Sequence, residues 1–246
     1  MTQKAGTEPI LPESAADDAA GYKSFHAPRY AFVLGLLREL GAGRDSSILD
    51  IGPSHLTELL RNEIDARVDT LGFGEDSRGE RGNHYAFNLN DAQHPIEWRA
   101  NLPRYSFVIM AEVLEHLYVA PQLVLGFVKT LLTADGRLIV QTPNAASLTK
   151  RVKLLLGRNP YEMIRTDPMN PGHYREYTAA ELHVIARELG FVVERCETGF
   201  YFDARHVHDS RGRLVRHSAL GGLKNIVYRN LPAGLREGIT MVLRAG

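Results

Sequence analysis

The densest chemistry in this sequence lies in five consecutive residues, Glu112-Val113-Leu114-Glu115-His116. If they open a helix, positions i, i+3 and i+4 fall on one face, so two carboxylates and an imidazole converge while Val113 and Leu114 turn elsewhere. Oxygen and nitrogen donors gathered in this way make a divalent-metal half-site. A fourth ligand has to come from a distant loop. His173, in Gly172-His173-Tyr174-Arg175-Glu176-Tyr177 directly before a helical stretch at 178–189, is placed to supply it. A metal held there would acidify a bound hydroxyl. The same residues support a metal-free reading, in which a glutamate caps the helix and His116 or His173 is the general base, because imidazole titrates near neutral pH. Asn144, in Gln141-Thr142-Pro143-Asn144, faces the same crevice as an acceptor contact or caps the next helix. Tyr22, His26 and Tyr30 would close the site from the N-terminal side. His206, His208 and His217 invite a second metal site, but flanking arginines and loop-like composition favour a solvated or substrate-facing segment.

These groups need elements to hold them. From Pro28 the apolar residues Phe32, Leu36, Leu37 and Leu40 repeat at helical spacing and stop at Gly41 and Gly43. Next, Ser47-Ile48-Leu49-Asp50-Ile51-Gly52 reads as a strand closed by a turn, and Leu56, Leu59, Leu60 and Ile64 read as the helix after it. Short apolar runs recur at 67–73, 85–89, 107–110, 137–141, 191–196 and 240–243, with helical stretches at 119–132, 145–156 and 178–189. Such alternation predicts a mainly parallel sheet wrapped by helices. In such sheets a ligand sits where the first strand turns into its helix, here Asp50-Ile51-Gly52-Pro53-Ser54. Glycine lets backbone approach the ligand, and the helix N-terminus offers free amide donors.

In order, the segments ILDIGPS, RVDTLGF, YAFNLND, YSFVIMAEVLEHL, DGRLIVQTPN and HYREYTAAELHVIARELGF resemble the class I S-adenosylmethionine-dependent methyltransferases. The closest likeness is to the subgroup whose fourth strand runs into an E-x-x-E-H segment, and it covers roughly residues 25–200. The resemblance implies a Rossmann-like α/β fold with a mainly parallel seven-stranded sheet. It also implies that Asp50 and Gly52 lie against the methionine part of the cofactor, that Ser54 adds a donor, and that Arg29 pairs with the cofactor carboxylate. Phe73 would pack on the adenine or ribose, with Glu75 or Asp76 reaching back. Ala111, ending the fourth strand, borders the cofactor, and Asn88, Asn90 and Asp91 are candidates to read the adenine amino group. The sequence departs from the family in keeping only Gly52 of the glycine-rich turn and in lacking an acidic residue directly after the second strand. By likeness to small-RNA 2′-O-methyltransferases and ubiquinone-pathway O-methyltransferases, Glu112, Glu115, His116 and His173 would ligate Mg2+ or Mn2+.

Composition narrows the partners. The chain has 246 residues, enough to close a core unaided, and Lys plus Arg equals Asp plus Glu at 29 each. That balance argues against nucleic acid. One cysteine, Cys196, excludes an internal disulfide and suits a reducing compartment, and no apolar run at the N-terminus suits a signal or a membrane span. A cytoplasmic protein is therefore expected. Its flexible tail spans residues 1–20 and its single domain 21–246, with insertions at about 157–177 and 203–235. The second insertion is read as a lid, a homodimer face or a surface helix. The preferred acceptor is a hydroxyl of a polyhydroxylated small molecule, that is, a sugar, glycoside or oligosaccharide. The alternatives are a metal-independent quinol or catechol O-methyltransferase with a histidine base, and a catalytically silent cofactor-binding partner subunit.

Overall fold

The computed structural model describes residues 13–167, 171–208, 214–216 and 219–246, with backbone alone for 13–21, 206–208, 214–216 and 219–220. Helix α1 (Glu13–Glu39) leads into β1 (Ser47–Ile51), α2 (His55–Glu63), β2 (Arg67–Gly72), β3 (His84–Ala86) and β4 (Tyr105–Ala111). Then follow α3 (Pro121–Thr130), β5 (Leu132–Pro143), α4 (Leu148–Leu155), α5 (Ala179–Glu188) and β6 (Phe191–Gly199). A small hairpin, β7 (His206–His208) with β8 (Leu214–Arg216), precedes α6 (Ala219–Arg229) and β9 (Gly238–Ala245). Seven strands form one sheet in the order β3-β2-β1-β4-β5-β9-β6, and β9 runs antiparallel to both of its neighbours. This is the mainly parallel sheet that the strand and helix alternation predicts, with the seven strands that the resemblance implies.

Successive side chains of a strand point to opposite faces, and the central strands are apolar on both. Ile48, Phe107, Ile109, Ile139 and Val242 pack with α1 and α2, while Leu49, Val108, Met110, Leu138, Val140 and Met241 pack with α3 and α5. A polar link joins β4 to β2 within this core. Tyr105 is buried and donates its hydroxyl to Asp69 Oδ2 at 2.9 Å, while Asp69 Oδ1 accepts the Asn83 amide at 2.7 Å. Tyr105→Phe leaves that carboxylate short of a donor, and chemical denaturation is expected to show a loss of about 1–3 kcal/mol.

Two boundaries differ from the sequence reading. The first helix starts well before Pro28 and carries that proline inside it, and the Phe25 carbonyl accepts the Asp203 amide at 3.1 Å. Pro28 has no amide hydrogen to give the Ser24 carbonyl, so the ladder is interrupted within this helix. Residues 1–12 of the expected tail lie outside the described residues, whereas 13–20 are helical backbone. Between β4 and α3 the expected helix opening at Glu112 does not form. Glu112 adopts φ 57°, Leu114–His116 makes a single 3-10 turn, and the helix begins only at Pro121. A left-handed residue turns the chain off the strand and cannot start an α-helix.

Candidate active site

The sequence-predicted groups described with side chains lie at the ends of β1 to β5 and on the turns after them, on α1 and on the segment before α5. At the β1 end, Gly52 has φ 75°, and a side chain there would meet Val113 Cγ2 at 2.9 Å. The missing Cβ thus lets the first turn touch the turn after β4. Ser54 caps α2, its Oγ accepting the Leu56 amide at 3.2 Å. Asp50 is buried and accepts a 2.6 Å hydrogen bond from Thr57 Oγ1. Burial outweighs that bond and the nearby Arg29 and Arg61 charges, raising the Asp50 pKa to about 7. Arg29 is buried on α1, and its Nε and Nη1 have no hydrogen-bond partner among the described residues. A buried guanidinium edge left open calls for an anion. With Asp50 beside it, the donor set fits a ligand carrying both a carboxylate and an ammonium group.

Phe73 stands exposed after β2. Asp76 is not free to reach back, because Arg99 holds both its oxygens at 2.7 and 2.8 Å and the Ala86 amide adds a third bond. Asn90 is buried, and its Oδ1 accepts the Tyr118 amide at 3.1 Å, whereas Asp91 is only half-buried. Asn88 uses its side chain to cap the short turn at Leu89. Ala111 ends β4, half-buried.

Beyond β4, Glu115, His116 and His173 each offer a ligand atom within 4.8 Å of the others. Glu112 is not in that set, since its left-handed turn takes it out of the i, i+3, i+4 alignment that a helix would have imposed. Glu115 has no exposed surface. Its Oε2 accepts from Thr142 Oγ1 at 3.0 Å, and its Oε1 has no hydrogen-bond partner among the described residues. Desolvation, and then the charge of Glu112, push its pKa well above the ordinary value. His116 gives its Nδ1 proton to the Gly172 carbonyl at 2.9 Å, and His173 gives its own to Glu176 Oε1 at 3.1 Å. Both Nε2 atoms are thereby left as lone-pair donors, the arrangement seen when histidines serve as metal ligands. Burial lowers the pKa of both rings, that of His173 to about 4, so both are neutral at physiological pH. The two rings meet edge to face, 4.8 Å between centroids. The orphaned Glu115 oxygen and the two fixed imidazoles fit a divalent cation.

Several supporting residues escaped the sequence reading. Thr57 and Thr142 hold the two buried carboxyls, and Lys150 ion-pairs with the same Glu176 that fixes His173. Glu176 lies three residues after His173, a spacing that could have flagged it; nothing in the pattern marks Lys150. Asn144 was read as acceptor contact or cap. Its Nδ2 donates to the Arg236 carbonyl at 2.8 Å and its Oδ1 accepts the Ala146 amide at 3.0 Å, so it builds the turn after β5. The Tyr22 and His26 rings meet at a tilt, 4.1 Å between centroids, and His26 and Tyr30 stack at 5.9 Å, a row along α1. His217 lies outside the described residues, and His206 and His208 are described in backbone alone.

A family model described as a methyltransferase domain matches residues 25–195. No curated protein matches the chain. Among solved structures, an S-adenosylmethionine-dependent methyltransferase from Archaeoglobus fulgidus superposes with TM-score 0.52 at 16% identity, covering 87% of this chain and 94% of its own. Magnesium protoporphyrin IX methyltransferase from Synechocystis, with bound S-adenosylhomocysteine, superposes with TM-score 0.53 at 13% identity, covering 98% and 90%. At such identities the likeness speaks to the fold alone.

Proposed function

The chain belongs to the methyltransferase-domain family and is an S-adenosylmethionine-dependent methyltransferase, and from that premise we propose that it methylates a hydroxyl of a polyhydroxylated small molecule with help from a divalent cation. The observation that carries this reading is the Glu115, His116 and His173 set, with both Nδ1 protons already committed and one Glu115 oxygen left over. Mg2+ or Mn2+ held there would supply the positive charge that makes an alcohol proton easier to remove. The protein's own part is positional. Arg29 takes the cofactor carboxylate and Asp50 its ammonium, and Gly52 admits the methionine portion. Thr142 and the Gly172 carbonyl hold Glu115 and His116 in register for an in-line attack. Two neighbouring hydroxyls of a sugar, glycoside or oligosaccharide suit a metal clamp of this kind.

Methyl transfer to sugar and catechol acceptors, measured with Mg2+ and again after chelation, tests the proposal. Turnover on a vicinal diol that chelation abolishes and Mn2+ or Mg2+ restores supports it. Metal affinity should also fall at least tenfold in His173→Gln. Turnover that survives chelation assigns His116 as base instead, and cofactor binding without any turnover makes the chain a silent partner.

The Asp50 assignment has its own signature. An exposed Asp loses its proton near about pH 4, whereas Asp50 keeps it to about 7. Across that window the native state binds more protons than the unfolded one, so the cofactor-free protein loses stability as pH rises through it. An ammonium ligand needs Asp50 ionised. Cofactor affinity is therefore expected to fall roughly tenfold for each pH unit below about 7, with a proton released on binding. Calorimetric titration in buffers of different ionisation enthalpy reads both effects, and Asp50→Asn should remove the pH dependence.

A further inference from the structure

Helix α4 does not behave as a core helix. None of its residues is buried, and every residue from 151 to 159 faces solvent. Yet it carries Leu154, Leu155 and Leu156 in succession, Leu155 at 86% exposure, and the loop behind it adds Met163 at 85% and Ile164 at 57%. Contiguous apolar surface of this kind marks an interaction face. The charge on it is one-sided. Its exposed residues from 151 to 159 include Arg151, Lys153 and Arg158 and no carboxylate, in a chain whose acidic and basic residues balance overall; Lys150 is paired with Glu176, and Glu162 on the adjoining loop is paired with Arg165. Leucines set among cations unpaired among the described residues, with the neighbouring Glu162 neutralised by Arg165, match the interface of an anionic bilayer, where apolar side chains enter the headgroup boundary and Lys or Arg meet the phosphates. A second copy would bring like charges together. A nucleic-acid groove would need stacking aromatics where α4 presents leucines. Among the described residues no helix is long and apolar enough to cross a membrane, so the contact is superficial.

Position ties this face to the crevice. Helix α4 leaves directly after the Asn144 turn, and the chain behind Ile164 returns through the Arg165 amide to the Pro171 carbonyl and on to Gly172 and His173. Helix α6, with Leu223, Ile226 and Val227 exposed, is joined to the same corner through Arg236, which bonds the Leu231 carbonyl and accepts from Asn144. We propose that α4 and the loop behind it dock this protein on an anionic lipid surface, with the crevice mouth held beside that surface. The docking does not depend on the acceptor or the metal proposed above. The test is cosedimentation of the full chain with vesicles of phosphatidylcholine alone and with about one-third phosphatidylglycerol, in low and high salt. The expected result is binding to the anionic vesicles at least tenfold tighter than to the neutral ones, weakened about fivefold by Lys153→Glu or Arg158→Glu and by more in Leu155→Asp. Cofactor binding in solution should be unchanged in all three, which also verifies that they fold. Failure to bind anionic vesicles at low salt overturns the proposal. So does wild-type binding by all three variants, or a vesicle-free dimer that Leu155→Asp dissociates, which would make the face a contact between copies.

Discussion

Glu115→Ala is expected to reduce methyl transfer by about 1,000-fold or more, roughly 4 kcal/mol of transition-state stabilisation, while cofactor affinity changes by no more than about threefold. The separation follows from geometry. Glu115 shares its site with His116 and His173, whereas Asp50 and Gly52 lie at the β1 end; Arg29, on α1, feels the Glu115 charge but makes no hydrogen bond to it among the described residues. The variant should still fold, because a carboxyl with no exposed surface, one oxygen unpartnered and its pKa raised by desolvation contributes little to stability. Initial rates with saturating Mg2+, calorimetric cofactor titration and a thermal melt distinguish the cases. A variant that keeps full turnover would remove Glu115 from the metal site, and one that loses turnover together with its fold would make it structural. Glu115→Gln keeps the shape and the Thr142 contact, so its rate should fall nearly as far if charge is what matters.

Gly52→Val should do the reverse, weakening cofactor binding by at least about 100-fold, roughly 3 kcal/mol. Two strains act together. At φ 75° a β-branched residue meets its own backbone, for about 1–2 kcal/mol, and its Cβ would lie 2.9 Å from Val113 Cγ2. Relief requires the first turn to move away from the turn after β4, opening the cradle. Gly52→Ala should fall between the two, since it shares the backbone strain and the Cβ contact but lacks the branches. A Gly52→Val protein that bound cofactor normally would place the cradle elsewhere.

Much of this was legible in the sequence because the signals were periodic or local. Strands read as apolar runs ending in a turn, and Thr178 with Glu181 form the cap that α5 needed. His173 was found from a lone motif ahead of that helix, and the fold brings it against His116 from 57 residues away. What sequence could not show was backbone geometry. E-V-L-E-H has the spacing of a helix face, but a left-handed Glu112 places the functional groups on a turn, and Glu112 drops out of the cluster while Glu115 and His116 stay. Asp76 looked available until Arg99, 23 residues away, took both its oxygens. Such competition between partners distant in sequence has no local signature. The stretch at 145–156 read only as helical, and spacing alone did not show that the leucines of α4 face solvent.

The place of β9 carries a consequence for how the chain acquires this shape. It follows every other described strand in sequence yet lies between β5 and β6, pairing with Arg137 through Pro143 on one side and Phe191 through Gly199 on the other. While residues 238–245 are still inside the ribosome, β5 and β6 each hold an open hydrogen-bonding edge, and β6 has no neighbour to join it to the sheet. Closure therefore waits on late, sequence-distant pairing, a slow step that leaves nascent chains exposed to edge-to-edge association. A stop codon before Gly238 would be expected to yield inclusion bodies in place of a weakened enzyme.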